Sequence, residues 1–354
     1  MSKLFSPLKI RNIELKNRIV VSPMCQYSSI NGVPTDWHLV HLGSRAVGGT
    51  GLILTEATAV SPEGRISPDD AGIWNDEQAK AYKRIISFIK SQHSVPGIQL
   101  AHAGRKASTY SPWKGKGEVK VENGGWQTMA PSPIPFADNY PRPKEMNQED
   151  IELVIHQFTK AAMRSIDAGF EVIELHFAHG YLVHEFYSPI SNHRKDKYGG
   201  TLENRCRLAI EISKSVREVI PNGIPLFVRI SSTDWTDGGW DIDQSVQLTK
   251  WLKNVDADLI DCSSGGNVPN AKIPLAPGYQ IPFSERIKRE IGILTGGVGL
   301  ITTSEQAEEI ISHEKADIVL LARQMLREPY FAINAAKKLN VNLKDFPNQY
   351  LRSK

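Results

Sequence analysis

Short runs of apolar, mostly β-branched residues alternate along this chain with longer stretches in which apolar positions recur at helical spacing. The short runs read as strands at 18–22, 51–57, 97–102, 172–176, 226–230, 259–263, 293–295 and 317–322. The longer stretches predict helices at about 37–47, 76–92, 147–168, 202–219, 244–254, 283–291, 304–313 and 329–339. In the second helix Tyr82, Ile85, Ile86 and Ile89 share one face. At the start of the third, Asn147 is an N-cap candidate with Asp150 three residues on. One long interruption breaks the alternation. The stretch 104–144 is rich in Gly, Pro, Lys and Trp and lacks a clear period, with room for a short hairpin of its own. A connection of that length is usually a lid or a binding loop.

Eight strand–helix units in succession predict an α/β fold, a (β/α)8 TIM barrel with a long inserted loop after strand 3. The strands are continuous apolar runs, as expected when both faces are buried. A doubly wound open sheet is the rival, but it favours a Gly-rich turn after the first strand. Here that strand ends in Ser22-Pro23-Met24-Cys25, with no GxGxxG. The 354 residues are an ordinary length for one barrel with insertions, so 1–354 is expected to be a single domain.

Charge changes the picture only by exclusion. The 42 basic and 39 acidic residues leave a net +3, which makes no case for nucleic acid or an anionic membrane surface. No apolar run is long enough to span a bilayer, and the first residues lack a signal-peptide core, so the default location is cytoplasmic. Cys25, Cys206 and Cys262 are too few and too scattered for a disulfide scaffold. Without a CxxC pair, no cysteine-ligated metal or iron–sulfur site is expected.

In a barrel the chemistry sits at the C-terminal ends of the strands. Those ends carry Ser22, Met24, Cys25 and Tyr27; Glu56 and Ala57; Gln99, His102, Arg105 and Lys106; His176, His179 and Tyr181; Arg229; Ser263 and Ser264; Gly296 and Gly297; and Ala322 and Arg323. Gly296-Gly297 and Arg323 fall where barrels often hold phosphate; the plain alternative is a tight turn and a surface arginine. His176 and His179 converge either as two metal ligands or as two hydrogen-bond donors polarising a carbonyl, with Tyr181 placed to give a proton. Arg229 inside a strand needs a partner: Glu174, Asp261 or a polar ligand. Gln99 has the same ambiguity. Cys206 and Cys262 read as structural.

Several motifs in order resemble one family. They are Leu4-Phe5-Ser6-Pro7-Leu8 with Asn17-Arg18-Ile19; Ser22-Pro23-Met24-Cys25-Gln26-Tyr27; Gln99-Leu100-Ala101-His102-Ala103-Gly104-Arg105-Lys106-Ala107; and His176-Phe177-Ala178-His179-Gly180-Tyr181-Leu182. A further run goes from Ser188-Pro189 through Asn192, Arg194, Asp196 and Tyr198-Gly199-Gly200 to Glu203-Asn204-Arg205. Over nearly the whole chain this resembles the Old Yellow Enzyme family, and most closely its bacterial class of NADPH dehydrogenases and xenobiotic reductases.

The resemblance implies an FMN-dependent ene-reductase that takes hydride from NADPH, with NADH possible, and reduces activated carbon–carbon double bonds in small electrophilic alkenes. It implies that Ser22, Pro23, Met24, Cys25, Ala57 and Gln99 line the flavin ring, and that Cys25 adjusts its potential. Arg229 would place positive charge near N1 and O2, and Gly297, Ala322 and Arg323 would hold the phosphate. His176 and His179 would grip the substrate oxygen, assisted by Tyr27, with Tyr181 as proton donor and Lys106 serving the active-site loop. Arg352 would reach a neighbouring subunit's site in a homodimer or homotetramer. No metal is implied. The segment 113–127, with Trp126, is longer than in the shortest members of the class. A dienoyl-CoA reductase type would need an iron–sulfur cluster and a further domain, and a non-redox phosphate-binding barrel would bind no flavin.

Overall fold

The computed structural model describes residues 2–353. Eight parallel strands close into a barrel: β1 (Ile19–Val21), β2 (Leu52–Ala59), β3 (Val95–Ala101), β4 (Val172–Phe177), β5 (Leu226–Ser231), β6 (Leu259–Ser263), β7 (Leu294–Val298) and β8 (Ile318–Leu321). Each pairs with the next, and β8 pairs back onto β1 through Val319↔Ile19, so the TIM-barrel expectation is met. The surrounding helices are α1 (Asp36–Val47), α2 (Asp76–Ser91), α3 (Gln148–Ala168), α4 (Leu202–Val219), α5 (Ile242–Asn254), α6 (Ile281–Ile291), α7 (Ser304–Ser312) and α8 (Phe331–Lys338). Their starts are chemically marked. Asn75 and Gln78 form a capping box on α2, and Asn147 and Asp150 form the expected one on α3, each satisfying otherwise orphaned N–H groups.

Two apolar layers result. Ile173 and Leu175 of β4, Val228 and Ile230 of β5 and Ile260 of β6 face the helices, where they meet residues such as Tyr82, Phe158 and Leu248. The alternate residues Val20, Leu52, Leu54, Val172, Phe227 and Leu259 fill the barrel interior. An N-terminal hairpin, Leu8–Ile10 against Ile13–Leu15, adds Ile10 and Leu15 to that interior cluster and so plugs the bottom of the barrel. Arg11 in its turn fastens it there, with Nε 2.6 Å from Asp258 Oδ1. The alternation Leu8-Lys9-Ile10 and Ile13-Glu14-Leu15 signals this hairpin, which the strand reading above passed over.

Three expectations need correction. Strand β7 does not end at its glycine pair: it continues to Val298, so Gly296 and Gly297 lie inside it. A Cβ on Gly297 would sit 2.7 Å from Ile281 Cδ1 of α6, so glycine is used there for helix–strand packing. The stretch 104–144 is not structureless. It carries single turns of 3-10 helix at Gly104–Lys106 and Val121–Asn123, and Val119 and Ala130 are buried in it. Its two-residue strands Met129–Ala130 and Lys144–Glu145 pair in parallel, and only a single antiparallel bridge, Thr109↔Glu118, resembles the expected hairpin. Finally, the β4–α4 connection contains a short, wholly buried helix, Leu182–Tyr187, absent from the reading above.

Candidate active site

The polar side chains gather at the C-terminal mouth of the barrel, because alternation along each strand carries the interior face from apolar to ionisable residues. On β4 the inward series is Val172, Glu174, His176; on β5 it is Phe227, Arg229; on β6 it is Leu259, Asp261, Ser263. Gln99 of β3 donates from Nε2 to Glu174 Oε1 at 2.8 Å. Arg229 Nε lies 3.1 Å from Asp261 Oδ2, and its Nη1 donates to Ser22 Oγ at 3.3 Å. Of the partners considered for Arg229, Asp261 makes the ion pair, while the arginine also lines a cavity and remains within reach of a ligand.

His176 and His179 stand edge to face, 5.1 Å between ring centres, and Tyr181 stands edge-on to His176 at 5.0 Å. Burial, reinforced by Arg229, holds both imidazoles well below the usual histidine range, so they are neutral. The Ala178 N–H donates to His176 Nδ1, which leaves the proton on Nε2. His179 Nε2 is 2.6 Å from Ser263 Oγ, and in the tautomer in which the hydroxyl donates, His179 carries its proton on Nδ1. In that tautomer each ring presents one N–H. No group of three or more His, Cys, Asp or Glu among the described residues could hold a metal ion, so the metal reading lacks its third ligand.

The turn carrying these rings is strained and braced. His179 has φ +61°, uncommon for a residue with a side chain, and is followed by Gly180, whose N–H donates to His184 Nδ1 at 2.9 Å. His184 Nε2 is anchored 2.8 Å from Asp234 Oδ1 with both side chains fully buried. Lys106 donates to the carbonyls of His179 at 2.9 Å and Gly266 at 3.1 Å, and its ammonium lies over the Tyr181 ring. Burial pulls that ammonium down to about 8. Lys106 therefore ties together the loops after β3, β4 and β6. Burial pushes the Tyr181 phenol well above its ordinary value, so it keeps its proton.

On the opposite wall, the segment after β1 is held by Glu56, which accepts from Gln26 N at 2.9 Å and from His38 Nε2 at 2.9 Å. Pro23, Met24, Cys25 and Tyr27 are half-buried there, and Tyr27 also has a positive φ, +47°. Burial, with Asp70 and Glu56 nearby, pushes the Cys25 thiol up, so it is not a resting thiolate. Ala57 pairs in register with Gln99 on the neighbouring strand.

A cavity of about 230 Å³ opens beyond β5–β8, lined among others by Arg229, Gln280, Gly299, Ala322, Arg323 and Arg327. Its glycine is Gly299, with φ +121°, where a Cβ would come within 2.9 Å of Gln280 Nε2. Gly297, two residues earlier and inside β7, is not among the lining residues. Arg352 lies on the exposed C-terminal turn Asn348–Ser353, outside this lining. Sequence reasoning missed Gln280 and Arg327 in the cavity and the role of Ser263 toward His179. Only Ser263 carried a signal, its place at a strand end.

A TIM barrel with an arginine-lined cavity beside its last strands and paired neutral imidazoles at its mouth is built for a phosphate-bearing ligand next to a polar reaction site. The family described as NADH:flavin oxidoreductase / NADH oxidase matches residues 3–342, and the chain belongs to it. An NADPH dehydrogenase of Bacillus cytotoxicus is 50% identical over 99% of this chain and 97% of its own length. One of Listeria innocua is 48% identical over 100% and 99%. Among solved structures, morphinone reductase in complex with tetrahydroNAD aligns with a TM-score of 0.80 at 23% identity, over 97% of this chain and 92% of that one; it speaks to the fold. A 2-naphthoyl-CoA reductase aligns with a TM-score of 0.86 at 25% identity, over 95% of this chain but 52% of its own length. The resemblance to the Old Yellow Enzyme family is borne out, and FMN and a nicotinamide dinucleotide are the cofactor and the hydride source.

The residues present fit FMN. Among the described residues Arg323 and Arg327 face the cavity without a carboxylate partner, Arg229 is a buried donor in its lining, and Gln99 is a buried amide two strands from Arg229. No helix among the described residues is long and apolar enough to cross a membrane.

Proposed function

We propose that the chain, acting as one FMN-binding barrel domain, uses NADPH to reduce activated C=C bonds in α,β-unsaturated carbonyls, nitroalkenes and related electrophiles. One observation carries this: two neutral imidazoles stand at right angles, one bonded to the cavity-lining Ser263 and the other edge-on to a protonated tyrosine. Such an array serves a substrate whose oxygen gains negative charge while a neighbouring carbon takes a proton.

Ser22, Pro23, Met24, Cys25, Ala57, Gln99 and Arg229 would line the ring, and Ala322 and Arg323, with the Gly299 backbone in place of Gly297, would hold the phosphate. The chemistry that FMN supplies when bound is a hydride relay through N5, from the nicotinamide to the β-carbon of the alkene. His176 Nε2–H and His179 Nδ1–H orient the substrate by its oxygen and stabilise the charge that develops there. Tyr181 Oη holds the proton destined for the α-carbon. Tyr27 closes the site from the β1 side, where its ring meets Trp113 edge-on at 5.7 Å. Lys106 keeps the His179 turn in place. A homodimer or homotetramer is the assembly in which Arg352 would reach a neighbour's site; a monomer by light scattering would remove that role.

The test is an anaerobic absorption spectrum of the purified protein before and after NADPH, then after 2-cyclohexenone. Flavin bands that bleach and then return establish both half-reactions. A colourless protein that takes up no FMN refutes the proposal.

A further inference from the structure

Beneath the two side chains assigned to the flavin edge lies a second, fully buried layer that the mechanism does not use. Glu174 and Asp261 are both 0% exposed. Glu174 binds the amide of Gln99, and Asp261 pairs with the guanidinium of Arg229. Gln99 and Arg229 come from strands two apart around the barrel, and Glu174 sits on the strand between them. The layer holds two carboxyl groups and one cation. Glu174 Oε2 and both Asp261 oxygens have no hydrogen-bond partner, and Arg229 Nε meets Asp261 Oδ2 as an ion pair without one. Were both carboxyls ionised, one buried negative charge would stand uncompensated, which burial strongly disfavours.

We propose that Glu174 and Asp261 are positioning residues for the flavin site: they hold Gln99 and Arg229 against its pyrimidine edge, and the charge they carry sets the reduction potential of the bound flavin. The inference rests on the FMN reading above.

The groups that face Glu174 are Asp261 on β6, Arg229 on β5 and the amide of Gln99 on β3. Burial raises both carboxyls, and the Asp261 charge raises Glu174 further, while Arg229 opposes the rise in each. Glu174 is therefore the group that keeps the proton at neutral pH, and Asp261 is the one whose charge answers Arg229. The signs follow. A carboxylate beneath the ring opposes the arrival of electrons on it, and an unanswered guanidinium favours it. Ionisation of Glu174 on going from neutral to alkaline pH lowers the potential; removal of the Asp261 charge raises it.

The experiment is potentiometry of the FMN-loaded protein between neutral and alkaline pH, for the wild type, E174Q, D261N and R229Q. Wild type and E174Q should coincide at neutral pH and separate at alkaline pH, with the wild type lower. D261N should favour the reduced form by about tenfold in the two-electron equilibrium, ~30 mV. Identical curves for wild type and E174Q at every pH overturn the inference, and so does an E174Q curve already displaced at neutral pH. If D261N does not fold, the wild-type and E174Q curves decide alone. R229Q separates the two levels. A shift in R229Q with none in E174Q or D261N sinks this inference and leaves the FMN reading standing. No shift in R229Q sinks this inference together with the placement of Arg229 at the flavin edge, and no FMN bound at all sinks the inference and the FMN reading alike.

Discussion

The two ends of the barrel interior are built from the same strands and obey opposite rules. At the bottom, Val20, Leu52, Leu54, Val172, Phe227 and Leu259 close on Ile10 and Leu15 of the hairpin. Two residues further along the same faces come Glu174, Arg229 and Asp261, and beyond them His176 and Ser263. The apolar layer needs volume, and any side chain that fills it serves. The polar layer needs addresses, because each donor or carboxylate there is costly without its one partner. Stability thus concentrates at one end of each strand and chemistry at the other, and substitutions at the two ends should fail differently.

The largest effect is expected at the bottom. Phe227→Ala removes a fully buried ring and should cost about 3–5 kcal/mol in urea unfolding, while the folded fraction still binds FMN. Loss of FMN binding without loss of stability would invert the comparison. At the top, replacing His176 and His179 together by Ala should lower turnover on an enone by at least ~10²–10³-fold and weaken phenol binding, with a smaller change in unfolding midpoint. Unchanged phenol affinity would strip both rings of their assigned role.

A weaker effect follows from pH. Burial pulls His102, at the end of β3, down to about 4, below the ~6.5 of the unfolded chain. The unfolded state therefore binds the extra proton first, and this contribution to stability is lost as pH falls from about 6.5 to about 4. His176 and His179 add to the same acid slope. His102→Gln should flatten it, as read from urea midpoints across that range; a slope equal to wild type would show that other groups carry it. The smallest effect belongs to the rim. Trp113 is exposed, so Trp113→Ala should alter stability by no more than about 0.5 kcal/mol yet change KM for bulky enones.

The barrel itself was legible because eight buried parallel strands leave continuous apolar runs, and the helix starts because capping is written locally, as at Asn147 and Asp150. The site residues were legible as types at strand ends. What escaped was what distance along the chain hides. Arg229 had two possible acid partners, and only the β5–β6 register gives it Asp261. Ser263 reaches His179 across a separation of 84 residues. The glycine pair was ambiguous because packing against Ile281 and approach to an anion ask for the same residue. Leu182–Tyr187 is too short and too uniformly buried to show a helical period.

The hairpin at the bottom also works as a clasp. Through Arg11 and Asp258 it joins positions 247 apart in the chain, so the opening residues are fastened to the foot of a strand in the second half of the barrel. No passage runs through that end, because the layer above it is packed, and whatever reaches the polar layer approaches from the mouth.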